Sequence, residues 1–186
     1  MAMPDTARRY TVAEVLEFPA DGNRYELVHG ELLVTPSPRV LHQVVLGRFY
    51  VALHQYLEPY RGFGQVFLAP ADITWGSDDT LVQPDIFVAV AADVSPAWIT
   101  VRTLLLAVEV VSPSSARFDR VKKRRLYQGR GVATYWIVDP DAQVVEVWHP
   151  DDERPEVVTD ILSWQVDQSA ESLILKLDQL FGNVPR

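Results

Sequence analysis

Leu104-Leu105-Leu106-Ala107-Val108-Glu109-Val110-Val111 is an apolar run of strand length with one acid inside it. A strand apolar at both alternations is covered on both faces, so this run reads as a central strand of a sheet sandwiched between helices. Ser112-Pro113 ends it. Ser114 or Ser115 can cap a helix running to about Gly129, and Gly129 or Gly131 can close that helix. Upstream, Gln83-Pro84-Asp85 opens a second apolar strand reaching Val90. An acid thus precedes one apolar strand and a second acid lies within another. Buried acids need partners.

The flanking sequence fills in an α/β pattern. Thr11-Val12-Ala13-Glu14 fits a capping box before a short helix to about Glu17. Arg24 to Val28 and Glu31 to Thr35 read as a hairpin turning at His29-Gly30. Between about Arg39 and Leu57, Val40, Val44, Val45, Phe49, Ala52, Leu53 and Tyr56 recur at helical spacing. Gly64 to Leu68 and Asp72 to Trp75 read as strands, the latter followed by a turn at Gly76-Ser77-Asp78-Asp79. Thr134 to Val138 and Val144 to Trp148 are strands around Asp139-Pro140-Asp141. The remainder, from Asp151, reads as one or two strands and a short helix near Asp178 to Phe181. With 186 residues, the expected organisation is one domain, with a core over about 10–150 and a C-terminal segment over 151–186.

Composition narrows the functional classes. The chain has no cysteine, so disulfides and thiolate metal sites are excluded. No apolar run approaches the roughly 20 residues of a membrane span, and no signal core is present at the N-terminus, so a cytoplasmic location is expected. The net charge of −8 argues against strong nonspecific binding to phosphate backbones. Positive charge is nevertheless clustered at Arg117, Arg120, Lys122, Lys123, Arg124, Arg125 and Arg130, which can make the local field positive.

Adjacent strands would bring Asp85 and Glu109 to one sheet edge. Two carboxylates there repel, and a hard divalent cation such as Mg²⁺ or Mn²⁺ removes the repulsion. The competing explanation is Glu109 buried against an arginine. Lys123 is spaced four residues from Asp119, which a helical ion pair would explain, yet it shares a face with Tyr127 that points toward the sheet. From there it can reach the acids and stabilise negative charge on a phosphate. Lys122, about 100° further round, is expected to face solvent with Arg120 and Arg124.

The order Pro84-Asp85, Glu109-Val110-Val111 and Lys123 resembles a PD-(D/E)XK nuclease site whose lysine has moved to the following helix. The usual lysine position is occupied by Val111. Arg24-Tyr25-Glu26-Leu27-Val28-His29-Gly30-Glu31-Leu32, His42-Gln43, Val82-Gln83-Pro84-Asp85, Asp119, Leu126-Tyr127, Gly131-Val132 and Tyr135-Trp136-Ile137-Val138-Asp139-Pro140 extend the resemblance. Together they are similar to a bacterial family of Uma-type restriction endonuclease domains, over roughly Tyr10 to Trp148.

The resemblance implies a restriction-endonuclease-like mixed sheet flanked by helices, with an N-terminal helix and hairpin. It implies Mg²⁺ or Mn²⁺ held by Glu26, Asp85, Glu109 and the Val110 carbonyl, and Lys123 positioning the attacking water. His42 is an outer water or phosphate contact. Glu26 alone would read as a surface residue paired with Arg24. Nucleic acid, DNA foremost, is the implied partner, and a homodimer is the commonest assembly. The alternative is a fold whose catalysis has decayed into a binding or regulatory role. A third reading is a metal-free homodimer interaction module, with Trp98, Trp148 and Trp164 available as an interface patch or as core. Glu31 and Asp72 read as a solvated hairpin residue and a strand end, and Tyr127 and Trp136 as core.

Overall fold

The computed structural model describes residues 8–98, 101–113 and 115–183. Its centre is a six-stranded sheet in the order β3 (Gly64–Leu68), β4 (Ile86–Val90), β5 (Leu104–Val110), β6 (Tyr135–Asp139), β7 (Val144–Trp148), β8 (Glu156–Val158). Only the β5–β6 pair is parallel. Parallel neighbours need a crossover, and the helical stretch between them supplies it. That stretch runs α3 (Ala116–Phe118), a π-turn (Asp119–Lys123) and α4 (Arg124–Gly129). The run 104–111 is the central strand that its composition predicts, with only Leu105 among 104–110 not buried.

Strand alternation sorts side chains into two layers. Ile86, Val88, Leu106, Val108, Trp136 and Val138 face α2 (Val40–Leu57) and α5 (Leu177–Phe181). Phe87, Ala107, Tyr135 and Ile137 face Leu126 and Tyr127 of α4. Glu109 lies two residues beyond Ala107, so the pleat directs it to the α4 layer. On α2 the buried residues are His42, Val45, Phe49, Leu53 and Leu57. Val40, in the predicted apolar series, is exposed instead.

Outside this sheet lie α1 (Val12–Leu16), the hairpin β1 (Arg24–Val28) with β2 (Glu31–Thr35), and the pair β9 (Ile161–Trp164) with β10 (Leu173–Lys176). The Thr11–Glu14 capping box forms, with both reciprocal hydrogen bonds in place. The hairpin turns through His29 and Gly30, both at positive φ (51° and 77°), as a type I′ turn requires. A bridge between Leu27 and Leu81 ties β1 to the segment leading into β4.

Three expectations need correction. Asp72–Trp75 is not a strand: only Ile73 pairs, in a single bridge with Val82. Pro70 has no N–H to donate and Trp75 takes a left-handed φ of 50°, so pairing cannot propagate. The C-terminal segment holds three strands rather than one or two. Of the proposed interface tryptophans, Trp148 and Trp164 are buried, and Trp98 packs edge-on against Phe67 and Phe87. They are core, not a patch. Ser115 stands at the N-cap of α3 without a capping side-chain bond, and Ser114 lies outside the described residues. Among the described residues, no helix is long and apolar enough to cross a membrane.

Phe49 is fully buried and touches the rings of Trp136 and Phe181, joining α2, the sheet and α5. Phe49→Ala should cost about 3–5 kcal/mol, whereas Val51→Ala on the exposed side of the same helix should stay within about 0.5 kcal/mol. Urea unfolding of the two variants checks the contrast.

Candidate functional site

The sheet register brings the acids together. Ile86 pairs with Val108 across the antiparallel β4–β5 ladder, so one further step sets Asp85 opposite Glu109. Directly opposed residues sit about 4.5–5.5 Å apart at Cβ, where like charges are destabilising. The hairpin adds Glu26, since the Leu27–Leu81 bridge holds β1 beside the approach to β4. The backbone N–H of Gln83 donates to Glu26 Oε1 at 2.7 Å. All three acids are buried.

Lys123 enters from the crossover helix and is 1% exposed. Its Nζ lies 2.8 Å from Glu26 Oε1, 2.9 Å from Glu109 Oε1 and 3.6 Å from Asp119 Oδ1. The π-turn helps to put it there. Four residues of α-helix overshoot a full turn by about 40°, so residues repeating every four drift off one face. The wider π-turn recovers part of that drift. Asp119, Lys123 and Tyr127 are all buried toward the sheet, and the Tyr127 hydroxyl donates to Glu109 Oε1 at 2.9 Å.

Asp85 is held differently. Its Oδ1 accepts from Arg24 at 2.7 Å, and its Oδ2 from the Val110 N–H at 2.9 Å. His42 Nε2 lies 3.2 Å from Oδ2, while the buried His42 Nδ1 has no hydrogen-bond partner. The imidazole thus meets Asp85 through Nε2. The pairing of Glu26 with Arg24 is therefore not what forms: Arg24 takes Asp85, and Glu26 takes Lys123. Glu109 has the lysine rather than an arginine.

Ionisation follows from this division. Burial opposes the charge on Asp85, but the His42 hydrogen bond and the Arg24 charge outweigh it and hold the carboxyl well below its usual range. Burial pushes Glu109 well above the usual range: Lys123 opposes the rise, while Asp85, Asp119 and Glu26 add to it. Asp119 is pushed up to about 6, by burial first and the Glu26 charge in addition, against the pull of Lys123. Burial works against the charge of Lys123, but Glu109, Glu26 and Asp119 raise its pKa and keep it a cation.

The four acids and two cations form the floor of a cleft of about 770 Å³. Leu33 of the hairpin, Pro38 before α2, and Pro70 and Pro113 are among its wall residues. A cluster in which hard oxygen donors outnumber the cations suits a divalent ion by its chemistry. As arranged, however, no three His, Asp or Glu side chains among the described residues are grouped as a metal cage. Arg24 and Lys123 already occupy the acids.

Comparisons with known proteins bear on the family and the fold. The profile of the Uma2 family, described as "Putative restriction endonuclease", matches residues 12–177. The chain belongs to the Uma2 family. The match runs beyond Trp148, where the motif resemblance weakens, and takes in β8 to β10. A crystal structure described as a putative nuclease belonging to DUF820, from Anabaena variabilis ATCC 29413, superposes with a TM-score of 0.76 at 26% identity. The superposition covers 92% of this chain and 97% of that one. The mixed sheet flanked by helices is thus the fold that the resemblance implies. No curated protein matches the chain.

Two site residues escape the sequence reading. Arg24 precedes Glu26 by two residues, so strand alternation already puts both on one face. Asp119 reads as an ordinary helical partner of Lys123 until its burial is seen. Lys122 does face solvent, against Glu31 at 2.8 Å. Arg120 and Arg124 are half-buried: Arg120 bonds Glu146 and Asp139, and Arg124 lies over the Trp148 ring. Asp72 accepts from the Gln83 side chain at 2.7 Å rather than ending a strand.

A carboxyl raised by folding adds stability below its unfolded pKa of about 4, and that contribution is lost as pH rises through its folded value. Glu109 and Asp119 act in this sense, with Asp119 titrating at about 6. Asp85 acts in the opposite sense: its contribution is present above about 4 and is lost as pH falls through its depressed folded value. For metal-free protein, Asp119→Asn should therefore shrink the loss of stability between pH 4 and 7 by roughly 1–3 kcal/mol. Urea midpoints across that range test it, and an unchanged pH slope would show that Asp119 titrates normally.

Proposed function

We propose that the chain is a metal-dependent endonuclease that hydrolyses phosphodiester bonds in nucleic acid, DNA foremost. One observation carries this reading: Glu26, Asp85, Glu109 and Lys123, from four separate segments, meet as buried charges on the floor of one cleft. A purely structural core gains little from such a cluster, because apolar replacement of buried ion pairs is often neutral or stabilising.

Glu26, Asp85 and Glu109, with the Val110 carbonyl, are the groups that would hold Mg²⁺ or Mn²⁺. The ion supplies Lewis-acid stabilisation of charge on the phosphate and leaving oxygen. Lys123 stays protonated, so it acts as a hydrogen-bond donor and fixed positive charge that positions the attacking water, not as a base. Its two short contacts, to Glu26 and Glu109, hold the ammonium between the strand and hairpin acids. His42 orients Asp85 through Nε2. That no three acids among the described residues form a preassembled cage favours a second reading, in which catalysis has decayed and the fold serves as a binding or regulatory homodimer.

Cleavage of single- and double-stranded DNA and of RNA, with Mg²⁺ or Mn²⁺, separates the two. Under the nuclease reading, chelation abolishes cleavage, and Asp85→Ala and Lys123→Met each lower the rate by roughly 100-fold or more. Cleavage that survives both substitutions removes these residues from the reaction. A wild type inert on every substrate favours the decayed fold.

A further inference from the structure

We propose that Arg24 is a stand-in cation, occupying at Asp85 the place that a divalent metal takes, and that metal binding displaces it into the cleft. This rests on the reading of the site as a metal centre. Two cations neutralise the acid cluster, and they are not equally replaceable. Lys123 is buried and contacts three carboxylates within 3.6 Å. Removing it would leave all three without their close ion-pair partner. Arg24 contacts one carboxylate, Asp85, and the Gln83 carbonyl at 3.2 Å. Its side chain is 24% exposed and lines the cleft, so a displaced guanidinium recovers water at once.

The remaining bonds of Asp85 also point to this exchange. The Val110 N–H and His42 both engage Oδ2, whereas Oδ1 is given to Arg24. Loss of Arg24 frees Oδ1 while the other two bonds keep the carboxylate in place. A divalent ion beside Asp85 would repel a guanidinium lying 2.7 Å from the same carboxylate. The hairpin that carries Arg24 is not part of the six-stranded sheet. Its first residue can therefore move without disturbing β4 or β5.

The test is direct Mn²⁺ binding, by calorimetry or by the paramagnetic resonance of free Mn²⁺, to wild type, Arg24→Met and Arg24→Lys. Removing a charged hydrogen-bond partner that competes with the metal should tighten Mn²⁺ binding about tenfold or more in Arg24→Met. Arg24→Lys should fall between, since an ammonium keeps the charge but lacks the planar fork. Arg24→Met should melt below wild type without metal and approach it with saturating Mn²⁺. If Arg24→Met fails to fold under both conditions, the Arg24→Lys affinity decides. Mn²⁺ that binds wild type as tightly as the variants, or more tightly, overturns the proposal and leaves the metal site standing. No binding to any of the three proteins removes the metal centre and this proposal with it.

Discussion

The buried ammonium of Lys123 is the interaction on which the arrangement depends. A full charge in a nearly water-free site is tolerated only with close counter-charges. Here the counter-charges come from β1, β5 and the turn before Lys123 itself. The lysine thus joins the hairpin, the central strand and the crossover helix at one atom. Each acid in turn would be unacceptable without it. Burial that would individually penalise four ionised groups becomes possible because they are buried together.

The backbone makes this meeting point in three steps. Antiparallel register puts Asp85 and Glu109 across from each other at the end of β4 and β5. Pleat alternation directs Glu109 to the side covered by the crossover helix. The π-turn keeps Asp119, Lys123 and Tyr127 over that spot. A one-residue slip in the register would send Glu109 into the opposite apolar layer, among Trp136 and Val138, where nothing could neutralise it.

Much of this is legible in the chain itself. The apolar run around Glu109 identifies the central strand, because few alternatives bury both faces of so short a segment. Lys123 is distinguishable from Lys122 by helical phase alone. Glu26 is not: within Arg24-Tyr25-Glu26 the local rule favours an exposed pair, and only the family resemblance lifts it into the site. The true partners are exchanged, with Arg24 going to Asp85 and Glu26 to Lys123, because both depend on a bridge between Leu27 and Leu81 that no local pattern encodes. Asp72–Trp75 misleads for the converse reason. Its alternation suits a strand, but the backbone at Pro70 and Trp75 withholds the geometry that pairing needs. Asp119 is hidden by the very spacing that makes it look ordinary.

The β1–β2 hairpin is not paired into the central sheet. A short bridge, some apolar packing beneath α1, and the ion pairs of Arg24 and Glu26 fasten it to the rest. The atoms suited to chemistry are therefore also fasteners for a two-stranded flap. Any change that empties the cluster also loosens an architectural joint, and any strain that lifts the flap dismantles the cluster. Docking of the hairpin and assembly of the charged cluster are coupled through Arg24 and Glu26, so a chain with its hairpin undocked would hold only the acids of the strands and the crossover helix.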